Sequence, residues 1–207
     1  MSLRSAMRVA CQDMGDGVSF YFDFNSPYAW LAAERIDELV PGAEWKPIAF
    51  PLLLHQLGRL DEAMRRDPSG ARGETVRRAG ERGLPPFTPP EGWPLESWSL
   101  APLRAAVFAG ERGRAREFCL AAFRAMFTEG RSLVEMDNIR EAAVAAGMDP
   151  DEVEEAIGRQ DVKDRLKQNT DEALARGITG IPTVVVGDEP FWGDDHLEDA
   201  AAAAVRT

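Results

Sequence analysis

Val18, Phe20, Phe22 and Phe24 alternate with Ser19, Tyr21 and Asp23, the period-two pattern of a β-strand. Asn25-Ser26-Pro27 follows and predicts a helix start, with a capping side chain and then a proline whose fixed φ suits the first turn and whose missing N–H costs nothing there. Tyr28, Leu31, Ala32, Ile36 and Leu39 recur at helical spacing, so a helix is predicted over 27–40, ended by Pro41-Gly42. Residues 44–50 read as a second strand, parallel to the first because a whole helix intervenes.

From 51 to 176 the period changes to that of helices, predicted over 51–66, 70–82, 99–110, 113–129, 135–147, 150–158 and 161–176. The stretch LPPFTPPEGWP at 84–94 holds too many prolines for either regular state and reads as a loop. Strand character returns at Thr183-Val-Val-Val186, with a turn at Gly187-Asp188 and a return strand from Pro190-Phe191-Trp192. Asp194-Asp195-His196-Leu197-Glu198 then opens an alanine-rich closing helix, Asp195 and Glu198 being spaced as a variant capping box. The layout is β-α-β, a large helical block, then β-β-α. It divides the chain into an α/β domain over 18–50 plus 177–207, a helical insertion over 51–176, and a leader over 1–17 expected to be disordered.

Composition narrows the partners. A chain of 207 residues with 44% hydrophobic and 29% charged positions can bury a sizeable core. No run of about 18 apolar residues is present, so no membrane span is expected. A net charge of -11 argues against nucleic acid and acidic membrane surfaces, which need a positive field. Residues 59–82 depart from that average, with seven arginines (Arg59, Arg65, Arg66, Arg72, Arg77, Arg78, Arg82) against five carboxylates. They could attract a small anion, although a solvated helix face is the commoner reason for such a run. Cys11 and Cys119 stand far apart, which speaks against a disulfide framework and fits a reducing, cytoplasmic setting. Cys119, within EFCLAAFRAMF, is expected to be buried and inert. His55 and His196 are the only histidines, too few for a structural zinc site or a Ser-His-Asp triad, so no metal is expected.

Three short segments carry candidate chemistry, and the connectivity can bring them to one edge of the sheet. Ser26 stands on the first turn of a helix leaving a strand, where it either caps that helix or steadies an anion. Pro182, directly before an apolar strand, marks a strand start or a cis peptide that turns the Ile181 backbone outward toward an extended peptide. Asp194 and Asp195 either cap the closing helix or accept a ligand ammonium.

Together these segments resemble the 2-hydroxychromene-2-carboxylate isomerase family and the related kappa-class glutathione transferases, in the DsbA-like branch of thioredoxin folds. The resemblance rests on FYFDFNSPYAW at 20–30, NTDEALARGITGIPT at 169–183 and FWGDD at 191–195, in matching order and spacing from Val18 onward. It implies a thioredoxin-like α/β domain with a large all-α insertion, glutathione as cofactor, and a homodimer acting in aromatic catabolism on a small anionic aromatic or other electrophilic substrate. In that reading Ser26 is catalytic and holds the glutathione sulfur as thiolate, which adds to a conjugated double bond, allows rotation and leaves. Asn25, Ser26, Ile181, Pro182, Thr183, Gly193, Asp194 and Asp195 form the implied cofactor site, with Ile181 pairing the cysteinyl backbone and Asp195 the γ-glutamyl ammonium. Tyr28, His55, Arg59, Trp93 and His196 are substrate-side candidates. The sequence departs from the family pattern after Pro51, at His55 and Gly58-Arg59, in the loop 93–98, and at His196 where the family has arginine. The alternatives are a kappa-like glutathione transferase, a non-catalytic thiol- or peptide-binding module, and a DsbA-like disulfide oxidoreductase, which would need a cysteine within 26–29.

Overall fold

The computed structural model describes residues 17–206, so the expected leader lies, except for Gly17, outside the described residues, as does Cys11. Strands β1 (Val18–Phe22), β2 (Glu44–Pro47), β3 (Thr183–Val186) and β4 (Glu189–Trp192) form one sheet in the order β2-β1-β3-β4. β1 is parallel to β2 and antiparallel to β3, and β3 is antiparallel to β4. The helix at 27–40 is two helices, α1 (Pro27–Ala33) and α2 (Ile36–Leu39). Arg35 leaves helical angles between them and extends its guanidinium to the Asp194 carbonyl and the Glu198 carboxylate. Likewise 51–66 divides into α3 (Phe50–Gln56) and α4 (Leu60–Arg65) at Gly58, whose φ of 68° only glycine adopts cheaply. The remaining helices are α5 (Ser69–Glu81), α6 (Leu100–Glu111), α7 (Ala115–Thr128), α8 (Met136–Ala145), α9 (Pro150–Gly158), α10 (Gln160–Ala175) and α11 (Leu197–Ala204).

All five residues of β1 are buried, including the polar members of its alternation, because helices cover both faces of the sheet. On one face Phe20 and Phe22 join Phe24, Trp30, Phe118, Phe123 and Phe127 in the main core; Phe24 and Phe123 lie 4.8 Å apart, centroid to centroid. Each such ring contributes about 1.5–3 kcal/mol through burial. On the other face Tyr21, Ile48, Leu53, Ile178, Ile181 and Val185 form a smaller cluster. Cys119 is fully buried, and burial pushes its thiol pKa up. The strand expected over 44–50 stops at Pro47, since the Phe50 N–H donates to the Asp23 carboxylate and starts α3. Both outer strands carry a proline, Pro47 in β2 and Pro190 in β4, and the Pro47 carbonyl accepts from Asn169 Nδ2 at 3.1 Å.

Beneath the smaller cluster, Glu172 on α10 accepts from the Tyr21 hydroxyl at 2.8 Å and from Lys46 Nζ at 2.9 Å. Burial raises the Glu172 carboxyl, but hydrogen bonds from Lys46 and Tyr21 outweigh it and leave the pKa below its ordinary value. A depressed carboxyl stabilises the fold above its unfolded pKa, and that contribution is lost as pH falls through the folded value. Glu172→Gln is therefore expected to lower the urea midpoint at neutral pH and to flatten the decline below about pH 4.3. An unchanged acid limb in the variant would contradict this.

Candidate functional site

The register sets Tyr21 opposite Thr183, so the chain leaving β1 and the chain entering β3 meet at the same end of the sheet. At that end the Ser26 N–H donates to the Asp23 carbonyl at 3.1 Å, and Ser26 Oγ accepts from the Ala29 N–H at 3.2 Å. Ser26 thus caps α1, and its hydroxyl proton has no acceptor among the described residues. The Ile181–Pro182 peptide is cis. Neither the N–H nor the C=O of Ile181 makes a hydrogen bond among the described residues, while Thr183 Oγ1 donates to the Gly180 carbonyl at 2.8 Å. Gly180 also underlies the exposed Trp192, whose Nε1 would lie 2.3 Å from an added Cβ.

The third segment is tied to the second, since the Gly193 N–H donates to the Pro182 carbonyl at 2.9 Å. Asp194 turns inward: only 1% exposed, it accepts from Arg78 Nη1 at 2.6 Å and from Arg82 Nη1 at 2.5 Å. Its oxygens are taken, which leaves Asp195, with 54% of its side chain exposed, as the acceptor open to a ligand. Asp195 makes no cap on α11, because its Oδ2 meets Arg78 Nη2 at 3.3 Å and its Oδ1 curls over Gly193. A Cβ on Gly193 would meet that Oδ1 at 2.4 Å, and the φ of 111° is itself unfavourable for other residues. Gly193→Ala is accordingly expected to cost about 1–3 kcal/mol in denaturant unfolding; a loss near zero would refute the fit.

Of the seven arginines, Arg78 and Arg82 belong to this link between α5 and the start of α11. Glu74 accepts from Arg78 Nε at 2.6 Å, and hydrogen bonds from Arg77 and Arg78 hold the Glu74 pKa down at about 2. The Arg78 guanidinium also lies 5.6 Å from the centre of the half-buried Tyr28 ring, and burial raises the Tyr28 pKa. Tyr28 is thus joined to the carboxylate segment.

Asn25 is fastened to the proline-rich loop: Trp93 Nε1 donates to its carbonyl at 3.2 Å, and its Nδ2 donates to the Pro94 carbonyl at 3.1 Å. Trp93 is only 6% exposed, flanked by Phe87 and Phe127 and covered by Arg72. Asn25 Oδ1 is buried without a partner. The crevice beside it, lined among others by Ser97, Trp98 and Leu133, measures about 10 Å³, room for one water and not for an aromatic ligand. Arg59 is exposed and reaches the Thr179 carbonyl at 3.4 Å, close to Ile181 in the chain. His55 and His196 are exposed, His196 facing Asp199 at 2.8 Å. No group of three or more potential metal ligands exists among the described residues.

Asp23 is a site residue that the alternation concealed. Fully buried, it accepts the N–H groups of Asn25 and Phe50, each at 3.0 Å, and so joins the Ser26 turn to the start of α3. Burial raises its pKa, and hydrogen bonds from Asn25, Ser99 and Phe50 oppose the rise.

The arrangement therefore offers an unengaged hydroxyl proton, an unpaired peptide, an orphaned amide oxygen and one open carboxylate around a sheet end. A 2-hydroxychromene-2-carboxylate isomerase of Sphingobium xenophagum is 26% identical over 188 residues, covering 87% of this chain and 94% of its own. Its counterpart in Pseudomonas putida is 23% identical over 188 residues, covering 87% and 90%. Among solved structures, a 2-hydroxychromene-2-carboxylate isomerase superposes with a TM-score of 0.79 at 23% identity, over 91% of this chain and 94% of its own. A probable DsbA oxidoreductase from Streptomyces coelicolor gives 0.67 at 20%, over 90% and 88%. Residues 17–204 match the model of the DSBA-like thioredoxin domain, so that the four-stranded mixed sheet, its helical insertion and the proline before β3 place the chain in that family.

Proposed function

We propose that this protein is a glutathione-dependent isomerase of the 2-hydroxychromene-2-carboxylate type, acting on a conjugated, aromatic-derived substrate. The names of its relatives support the reaction class, and the observation that carries the reading is Ser26 Oγ, whose proton is unengaged at the same end of the sheet as the unpaired Ile181 peptide. The site suits the tripeptide: the Ile181 N–H and C=O match its cysteinyl backbone and Asp195 its ammonium. Glutathione, when bound, supplies a thiolate that adds reversibly to a conjugated double bond. Ser26 donates its hydroxyl hydrogen to the sulfur and so favours its charged form. A free thiol ionises near pH 8.5, and lowering that by about two units takes about 2.7 kcal/mol. One charge-assisted hydrogen bond contributes about 1.5–3 kcal/mol, enough for most of this. Asn25 and Asp23 hold the Ser26 turn in place, and Asp195 orients the far end of the cofactor.

The test is a titration with glutathione, followed by calorimetry and by thiolate absorbance near 240 nm at neutral pH. Saturable uptake with rising absorbance is expected; no uptake would end the proposal. A kappa-like transferase outcome is the second reading, favoured by the exposed departures His55, Arg59 and His196. Conjugation of halogenated aromatics without isomerisation of conjugated enones would decide for it.

A further inference from the structure

Resting on the glutathione reading, we propose that Arg78 is the positioning residue that makes this site select thiols carrying a free α-ammonium. Its guanidinium spends Nε on Glu74, Nη1 on Asp194 and Nη2 on Asp195 while its plane lies over Tyr28, so it is anchored on three sides before it reaches Asp195. Only 18% of the Arg78 side chain is exposed, against 54% for Asp195, so a buried cation steers an open anion. Beyond its own helix Arg78 meets two carboxylates, of which Asp194 is 1% exposed and Asp195 is the one that solvent and a ligand can reach. With Oδ2 held by Arg78 and Oδ1 packed over Gly193, the Asp195 carboxylate cannot swing into solvent without breaking a contact. A carboxylate fixed in one orientation favours a cation at the place it faces, and an α-ammonium at the end of an extended peptide on Ile181 is the group that meets it.

The experiment compares glutathione with its analogue in which a glutaryl group replaces the γ-glutamyl group and so removes the ammonium. Calorimetry gives both affinities for the wild type, Arg78→Met, Arg78→Lys and Arg82→Met. The wild type should prefer glutathione by about tenfold or more, the size of one charge-assisted hydrogen bond. Arg78→Met should reduce the preference to within about threefold while leaving the thiolate absorbance of the saturated protein unchanged. Arg82→Met disturbs Asp194 but not Asp195 and should keep the full preference, which separates positioning from a loss of structure. Should Arg78→Met fail to fold, Arg78→Lys decides, because lysine keeps the charge but lacks the planar fork that holds Glu74, Asp194 and Asp195 at fixed angles. Full preference in a folded Arg78 variant, or its equal loss in Arg82→Met, would overturn the assignment. Failure of the wild type to bind either thiol would instead overturn the glutathione reading beneath it.

Discussion

Ser26→Ala is expected to slow the glutathione-dependent reaction by about 10- to 150-fold at neutral pH, the worth of one hydrogen bond to a charged group. The loss should fall on kcat and be partly recovered at high pH, where the thiol ionises unaided, because Ile181 and Asp195 remain to bind the tripeptide. The same change removes the cap on the Ala29 N–H and should cost about 1 kcal/mol of stability. The two effects separate: Ser26→Thr keeps a hydroxyl and should restore much of both, whereas Ser26→Gly should spare the cap by a few tenths of a kcal/mol and not the rate. A pH–rate profile of Ser26→Ala that overlays the wild type would remove Ser26 from the chemistry.

The largest stability effect is expected at Trp93. Trp93→Ala empties a place between Phe87 and Phe127 and strips the Asn25 carbonyl of its donor, for about 3–5 kcal/mol. In a chain of this size that corresponds to roughly 10 °C in Tm. Trp93→Phe keeps most of the packing and loses the N–H, for about 1 kcal/mol. Since that N–H fixes the residue before Ser26, Trp93→Phe should also weaken thiolate stabilisation more than its stability loss suggests. Equal melting temperatures for wild type and Trp93→Ala would show that the aromatic cluster does not bear on the loop.

Much of this was legible from periodicity. Phe20 to Phe24, Asp149-Pro150 and Thr183 to Val186 gave their elements nearly to the residue, because strand alternation and proline caps act locally. The breaks at Arg35 and Gly58 were not, since the first answers to Asp194 and Glu198, about 160 residues away, and local pattern carries no trace of them. Ser26, Ile181 and Asp195 could be named from sequence as a turn, a strand start and a helix start. What each side chain touches could not: Asp194 reads like Asp195 until Arg78 and Arg82 claim it, and nothing in the proline-rich loop tells that the Trp93 indole donates to the Asn25 carbonyl. Asp23 escaped notice because a carboxylate on the polar side of an alternating strand is ordinarily solvated, and here both sides are covered.

The prolines of β2 and β4 bear on how the protein behaves when crowded. A sheet extends from molecule to molecule only if its margins present an unbroken row of donors, and Pro47 and Pro190 each leave a gap in that row. At Pro47 even the acceptor is spent on Asn169. Concentrated solutions are thus guarded against fibrous stacking at both margins of the sheet, while the unpaired peptide at Ile181 lies inside those margins and stays free for small ligands.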